Sequence, residues 1–280
     1  MRGPKWNENT ISRFQREGRG KGAGHDYKPW IRVEDFSSLG ESRRVFGLKT
    51  QREHHLFSNV EWDLFLLLEW NQYIVDIREQ FPLERSLTQE LAASLGIRHP
   101  CYPGTKTPAV LTADFVVIRR HQGKNILEAY NAKRTEEAEE PTSLEKLEIQ
   151  RSYFQSAGTP HHLIFHSELP RTEIRNIEWI RGGYVRPGEE EPYPGFYVEH
   201  QDTMAAFLAK SGFEGSLADF CSYYERQYGL SPGTGLKLAK QLIFNRVLSA
   251  DLSCDNLARA PMPSFRLLGQ KGKLRLMGAN

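Results

Sequence analysis

The sequence predicts an α/β domain that is followed by a smaller, mostly helical domain. Between residues 58 and 166, apolar residues recur in the order helix, strand, hairpin, helix, strand, which is typical of a mixed α/β core. After a turn-rich segment at 187–195, PGEEEPYPG, the periodicity is mostly helical. We therefore expect a basic N-terminal arm with little regular structure over 1–50, the α/β domain over 51–168 and the helical domain over 169–280.

The α/β domain is expected to begin with a helix over 58–70 and a strand over 73–81. Ser58 can cap this helix, and Glu61, at the third helical position, completes a capping box. The run YIVDIREQF over 73–81 contains β-branched residues and stops at Pro82, as a strand often does. Apolar residues at helical spacing support the helix, namely Val60, Leu64, Leu67 and Leu68.

A β-hairpin is predicted in the middle of this domain. The segments TADFVVI (112–118) and NILEAYNAK (125–133) are both rich in strand-forming residues, and a polar turn at 121–124 separates them. The preceding segment, 84–110, contains Gly, Pro and scattered charges, and we expect a loop there with one short helix.

A further helix and strand are expected to complete the α/β domain. Pro141 and Thr142, together with Glu145, predict a second capping box and a helix that runs to about Ala157. The apolar run HHLIFH over 161–166 then predicts a short buried strand.

Three helical segments are predicted in the C-terminal domain, at 202–210, 216–228 and 234–247, and a short hairpin and a basic tail follow them. This is the order of a winged-helix domain, although many small helical domains share the same pattern. The third helix is a candidate for DNA phosphate contacts through Lys237, Lys240 and Arg246. Ordinary surface charge on a helix explains these residues equally well.

Basic residues are concentrated at the two ends of the chain, although the net charge is only +2. Residues 1–28 carry seven Lys and Arg against three acids, and residues 259–280 carry five and no acid. Such segments suit contacts with nucleic-acid phosphates, but solvated tails have the same composition. The start of the chain lacks a signal-peptide apolar region, no run approaches the ~20 apolar residues of a membrane span, and three scattered cysteines form no disulfide pattern. We therefore expect a reduced, cytoplasmic setting.

Several polar residues converge on the predicted hairpin. Asp114 lies near the start of its first strand, and Lys133 ends its second strand. Because side chains alternate along a strand, Asn131 and Lys133 share one face, and the nearby Glu128 lies on the other. Glu61 adds a second carboxylate in the first turn of the helix at 58–70, where the helix dipole favours an acid.

Phosphodiester hydrolysis uses such a set of residues. Oxygen ligands from Glu61, Asp114 and Asn131 can hold Mg²⁺, which polarises the phosphate and lowers the pKa of an attacking water. Lys133 beside the metal can orient that water and offset developing negative charge. An acid on one strand, a turn and a lysine on the next strand is the layout of a restriction-endonuclease-like core. The same spacing also arises by chance, with Asp114 capping a turn and Lys133 solvated.

Longer motifs resemble the TnsA family, the endonuclease subunits of the heteromeric transposases of Tn7-like transposons. The resemblance extends from residue 17 to about residue 180. DIREQFPL (76–83), together with the block that begins HHL at 54, is the most specific part. Further matching motifs are GIRHP (96–100), TADF (112–115), SLEKLEIQRSYF (143–154) and NIEWI (176–180).

The resemblance implies a restriction-endonuclease-like N-terminal domain, a winged-helix-like C-terminal domain and a requirement for Mg²⁺, with Mn²⁺ as an alternative. It places the catalytic acids on Glu61 and Asp114 and the catalytic lysine on Lys133. The family has Gln two residues before this lysine, whereas this chain has Asn131, which keeps the amide but is one methylene shorter.

The activity that the resemblance implies is cutting of the 5′, non-transferred strands at transposon ends. A TnsB-type subunit of the integrase fold would cut and join the 3′ ends, and a TnsC-type AAA+ regulator is the other expected partner. Two alternatives remain at this point: a catalytically degenerate DNA-binding factor that bridges those two partners, and a stand-alone restriction or junction-resolving nuclease. His54 and His55 could contact DNA or the active site, but a capping or packing role explains them better.

Overall fold

A computed structural model describes residues 5–36, 41–138, 140–186 and 188–268. The chain divides into two compact units between Leu169 and Pro170. The first unit is built around a mixed sheet, which confirms the predicted α/β class. Among the described helices, none is both long and apolar enough to cross a membrane.

The N-terminal segment does not lack regular structure, so this part of the prediction is wrong. Helix α1 spans Glu8–Arg16, and the side chain of its N-cap, Asn7, accepts a hydrogen bond from the Thr10 amide at 2.9 Å. Its buried residues, Ile11 and Phe14, pack in a cluster with Trp30 and Tyr102. The apolar face of α1 is only these two residues, and partners from distant parts of the chain cover it.

Two sheets lie within the described residues of the first unit. Strands β1 (Arg43–Phe46) and β2 (Glu53–Leu56) form a small antiparallel pair. The main sheet consists of β3 (Ile74–Pro82), β4 (Thr112–His121), β5 (Lys124–Lys133) and β6 (His161–Phe165), in that spatial order. The first three of these strands are antiparallel, and β6 is parallel to β5.

The predicted hairpin is formed by β4 and β5. Its turn consists of Gln122 and Gly123, whose φ angles of 49° and 77° both lie in the left-handed region. Two-residue hairpin turns with two positive φ angles match the twist of the strands that they join. The hairpin therefore fixes the register that aligns Asp114 with the end of β5.

Helices cover the main sheet. Helix α2 (Asn59–Trp70) follows β2, and its Phe65 ring lies 6.4 Å from the ring of Phe115 on β4. Helices α3 (Arg85–Ser94) and α5 (Pro141–Ser156) share a core with β4 and β5, and a short helix α4 (Thr135–Ala138) lies between β5 and α5. Because parallel strands need a crossover connection, α5 is what allows β6 to pair with β5.

The two predicted capping boxes had different outcomes. Ser58 caps α2 as predicted, and its side chain accepts a hydrogen bond from the Glu61 amide at 3.1 Å, but the box is not closed, because the Glu61 carboxylate accepts from the Phe57 amide and not from the amide of Ser58. The second capping box is wrong: Glu140 is the N-cap of α5, without a side-chain hydrogen bond, and Pro141 occupies the first turn. Proline at this position has no amide hydrogen that needs a cap, so the helix starts without Thr142.

The second unit is mostly helical. Its helices are α6 (Arg171–Arg181), α7 (Phe196–Ser211), α8 (Leu217–Tyr228) and α9 (Thr234–Phe244). The last three overlap the predicted helical segments, although α7 begins six residues earlier than predicted and α9 ends three residues earlier, whereas α6 was not predicted. Two-residue strands, β7 (Leu248–Ser249) and β8 (Arg266–Leu267), pair after α9. The winged-helix assignment of this unit stays a prediction.

Candidate active site

Strands β4 and β5 separate next to Asp114. Their pairing runs from the turn as far as Phe115 and Tyr130. Beyond that pair, the backbone amide of Ala132 donates to the Asp114 carboxylate, Oδ2, at 2.8 Å. The side chain of Asp114 thus lies between the two strands, and its other oxygen, Oδ1, has no hydrogen-bond partner among the described residues.

Glu61 is fixed by the start of α2. Its Oε1 accepts from the Ser58 hydroxyl at 3.2 Å, and its Oε2 accepts from the Phe57 amide at 3.0 Å. The side-chain amide of Gln80 donates to the same Oε2 at 3.3 Å. Only 6% of Glu61 is exposed, so these contacts hold a buried carboxylate at the helix N-terminus.

The charges of Glu61, Asp114 and Lys133 act on one another. Burial, followed by repulsion from the Asp114 carboxylate, raises the pKa of Glu61 from 4.5 to about 8. The positive charge of Lys133 acts in the opposite direction and lowers this pKa. The structure therefore brings the three residues predicted as the catalytic core into one electrostatically coupled group.

Lys133 lies at the end of β5, where it pairs with Phe165 of β6. It is half-buried, and its ammonium group has no hydrogen-bond or ion-pair partner among the described residues. Glu128, which strand alternation placed on the other face, instead contacts Arg119 and the hydroxyl of Tyr130. The cation at the end of β5 is thus available to a bound anion, whereas the carboxylate of Glu128 is engaged elsewhere.

Asn131 is almost completely buried, with 1% exposure. Its side-chain oxygen lies 2.8 Å from Nε2 of His161 on β6. Burial lowers the pKa of His161, which favours the neutral ring, and this ring also stacks against Phe154 at 5.2 Å. Because its oxygen already has a partner, Asn131 is less suited to bind a metal than Glu61 or Asp114, and its role as a ligand stays a prediction.

Gln80 is a site residue that the sequence analysis missed. It lies within β3 with φ of 47°, in the left-handed region that residues other than glycine rarely adopt. Its amide nitrogen contacts Glu61, and its amide oxygen accepts from the Thr112 hydroxyl at 3.2 Å. The position of Gln80 inside the specific motif DIREQFPL was the available signal.

The donor set fits a hard divalent cation. Two carboxylates, Glu61 and Asp114, lie close enough to raise the pKa of one of them, and a cation between them would relieve this repulsion. The described residues contain no group of three or more His, Cys, Asp or Glu that could bind a metal. Mg²⁺ matches this set because it binds through one or two carboxylates and keeps water and phosphate oxygens as its other ligands.

Other predicted residues are used in local contacts. In the second unit, Lys237 pairs with Glu189, and the Lys240 ammonium lies 4.4 Å above the ring of Trp179. Arg246 is half-buried, and burial lowers its pKa. These contacts favour a structural role, and DNA binding by Lys237, Lys240 and Arg246 stays a prediction.

The two histidines before α2 are also part of the packing. His54 is fully buried, with its ring nitrogens 2.7 Å from Glu79 and 2.7 Å from Thr50. His55 accepts a hydrogen bond from the Val33 amide through Nδ1 at 3.3 Å. These contacts agree with the packing explanation rather than with DNA binding.

The chain is similar in sequence to transposon endonucleases. The family model described as TnsA-like endonuclease N terminal matches residues 71–166, and the one described as TnsA endonuclease C terminal matches residues 168–252. The chain is also similar to the Transposon Tn7 transposition protein TnsA of Escherichia coli. The two are 33% identical over 240 residues, which cover 86% of this chain and 85% of the relative.

Proposed function

The chain belongs to the TnsA family of transposon endonucleases, and we propose that it cuts the 5′, non-transferred strands at transposon ends with Glu61, Asp114 and Lys133. As a member of this family it is a metal-dependent DNA endonuclease subunit of a Tn7-type transposase, and its substrate is DNA. The strand, the metal and the residues that act are the proposal.

The proposal rests on the electrostatic interaction of two carboxylates and one lysine in the candidate site. Burial and the nearby Asp114 carboxylate raise the pKa of Glu61 to about 8, and within the described part of the chain the Lys133 ammonium has no hydrogen-bond or ion-pair partner. A protein gains no stability when a second carboxylate raises the pKa of a buried one. Such an arrangement is typical of sites that bind a cation or carry out chemistry.

Each residue has a distinct role in the proposed reaction. A bound divalent metal would polarise the phosphodiester and lower the pKa of an attacking water. Glu61 and Asp114 would hold that metal, which we propose to be Mg²⁺, with Mn²⁺ as a substitute. Lys133 would orient the water and offset the negative charge that develops on the phosphate.

The proposed partners follow from the strand assignment. A TnsB-type subunit of the integrase fold would cut and join the 3′ ends, and a TnsC-type AAA+ regulator would control the assembly. The second unit, as a winged-helix-like domain, would add contacts to DNA. The presence of Glu61, Asp114 and Lys133 argues against the alternative of a degenerate assembly factor, which only Asn131, in place of the family's Gln, favours.

The proposal is tested by reconstitution with TnsB-type and TnsC-type partners, transposon-end DNA and Mg²⁺, with the cuts mapped on both strands. Replacing Asp114 by Ala removes a metal ligand, so we expect 5′-strand cutting to fall below detection while 3′-strand cutting continues. Glu128→Gln is the matched control, because this carboxylate lies on the same hairpin but faces Arg119.

The control variant should cut both strands as the wild type does. Identical products from the wild type and the Asp114→Ala protein would contradict the proposal and would favour the assembly-factor alternative. The isolated chain is expected to cut little, because no feature of the sequence indicates recognition of specific bases.

A further inference from the structure

A cavity of about 170 Å³ in the first unit contains two cationic side chains, Arg98 and Lys146. We call it the 98/146 pocket. Its other lining residues include His99 and Glu145, as well as Cys101. The contacts described above assign no role to either cation, although GIRHP, the motif that contains Arg98, is among the family-like segments of the sequence.

The position of Lys146 on α5 places it near the candidate active site. One helical turn further along, the Gln150 side chain donates to the Thr112 carbonyl at 2.8 Å and so fixes α5 at the start of β4. Residues four apart lie on the same face of a helix, with about 5.4 Å between turns, so Lys146 extends from that face. Asp114 is two residues from Thr112 along β4.

The environment of Lys146 agrees with this position. Burial is the main cause that lowers its pKa, and repulsion from Lys133 acts in the same direction, whereas Asp114 and Glu61 raise it. Among the described residues, the Lys146 ammonium has no hydrogen-bond or ion-pair partner. The attraction of the two carboxylates does not offset the hydration that this half-buried cation loses, so a bound anion would stabilise its charge.

The opposite wall of the 98/146 pocket is held by hydrogen bonds. The Pro100 carbonyl accepts from the Ala109 amide at 2.9 Å, and the Tyr102 amide donates to Thr107 at 3.0 Å. Nε2 of His99 lies 3.0 Å from the Thr88 hydroxyl on α3. These contacts fix the backbone that carries Arg98, whose side chain is exposed and free of partners among the described residues.

We propose that the 98/146 pocket binds a phosphodiester of the DNA backbone adjacent to the one that is cut, through Lys146 and Arg98. The inference rests on the proposed function, because it takes DNA as the substrate at Asp114. A strand whose scissile phosphate lies at the carboxylates must carry its next phosphates across the surrounding surface. There, Lys146 and Arg98 offer positive charge that forms no hydrogen bond or ion pair with the residues that the structure describes, and the contact would fix the register of the strand.

The test uses the reconstituted reaction and DNA in which single phosphates of the cut strand are replaced by neutral methylphosphonates. Lys146→Gln is expected to slow 5′-strand cutting roughly tenfold, since a charge-assisted hydrogen bond contributes on the order of a tenfold effect. In the wild type, one methylphosphonate flanking the cut should produce a similar loss. Combining that substitution with Lys146→Gln should cause no further loss, because both changes remove the same contact.

Two other variants complete the test. Lys146→Arg should retain most of the cutting, which separates loss of charge from loss of folding. Lys124→Gln is the matched control, because Lys124 is an exposed lysine at the opposite end of β5, about 30 Å of strand from Lys133. It should cut as the wild type does.

Additive effects of Lys146→Gln and the methylphosphonate at every phosphate position would overturn the inference. Unchanged cutting by Lys146→Gln would overturn it as well. Failure of the proposed function gives a different result, namely 5′-strand cutting that persists in the Asp114→Ala protein. The two failures are therefore distinguishable in the same assay.

Discussion

At the scale of single residues, Glu61 shows how the chain accommodates a buried carboxylate. Both of its oxygens accept hydrogen bonds, from Ser58 and from the Phe57 amide, and the N-terminus of α2 favours negative charge. Burial and Asp114 nevertheless keep its pKa near 8. Without a cation, the folded protein therefore binds a proton at Glu61 that the unfolded chain releases near pH 4.5.

The first prediction concerns the pH dependence of stability. Because the pKa of Glu61 is raised on folding, its contribution is fully present below about pH 4.5 and is lost as pH rises through about 8. Glu61→Gln has no such loss. In EDTA, the melting temperature of the variant should exceed that of the wild type by about 5 °C or more at pH 9, with a smaller difference at pH 5.

Thermal unfolding followed by fluorescence measures this difference across the pH range. Glu90→Gln, at an exposed position of α3, is the control and should show a difference that does not depend on pH. If the melting temperatures of Glu61→Gln and the wild type differ by the same amount from pH 5 to pH 9, the pKa of Glu61 is not raised on folding.

At the scale of elements, strand β3 departs from regular geometry where it meets the site. Gln80 takes a left-handed φ of 47°, and its amide bridges Glu61 and the Thr112 hydroxyl. A left-handed conformation costs about 1–2 kcal/mol for a residue with a Cβ. The amide contacts of Gln80 link α2, β3 and β4, so the local strain positions a residue of the site.

A second prediction separates the strain from the contact. Gln80→Gly removes both, so the free energy of unfolding should stay within about 1 kcal/mol of the wild type, whereas 5′-strand cutting should fall roughly tenfold. Gln80→Ala keeps the strain and loses the amide, so it should lower both stability and cutting. Chemical denaturation and the reconstituted cutting assay measure the two quantities, and wild-type cutting by Gln80→Gly would exclude a positioning role.

The elements differ in how far the sequence could predict them. Helix α2 and the β4–β5 hairpin have clear local signals, a capping box and β-rich runs around a turn, and they carry Glu61, Asp114 and Lys133. Helix α1 was missed because its apolar face consists only of Ile11 and Phe14. Local periodicity cannot identify the distant residues that cover so small a face.

The parts of the site that could not be predicted from the sequence depend on tertiary contacts. Nothing in the spacing of residues reveals that Gln80 adopts a left-handed φ, or that His161 contacts Asn131 across neighbouring parallel strands. Lys146 lies on α5, and its approach to the carboxylates follows from how this helix packs on β4. Strand alternation could exclude Glu128 from the site, but it could not identify Gln80, His161 or Lys146 as parts of it.

At the scale of the whole molecule, each unit matches its own part of the TnsA family, and the residues that we propose to act in cutting lie in the first. In the second unit, Lys237 and Lys240 already contact Glu189 and Trp179. Basic residues on α9 therefore provide less free charge for DNA than the sequence indicated.

The products of a complete transposition reaction show whether this chain cuts the 5′ strands at Asp114. With the wild-type chain, cuts on both strands should release the element, and the products should be simple insertions. With Asp114→Ala, the 3′ ends should still be joined while the 5′ ends remain attached to donor DNA, so the products should be cointegrates. Simple insertions in equal yield from the Asp114→Ala protein would contradict the assignment of 5′-strand cutting to this site.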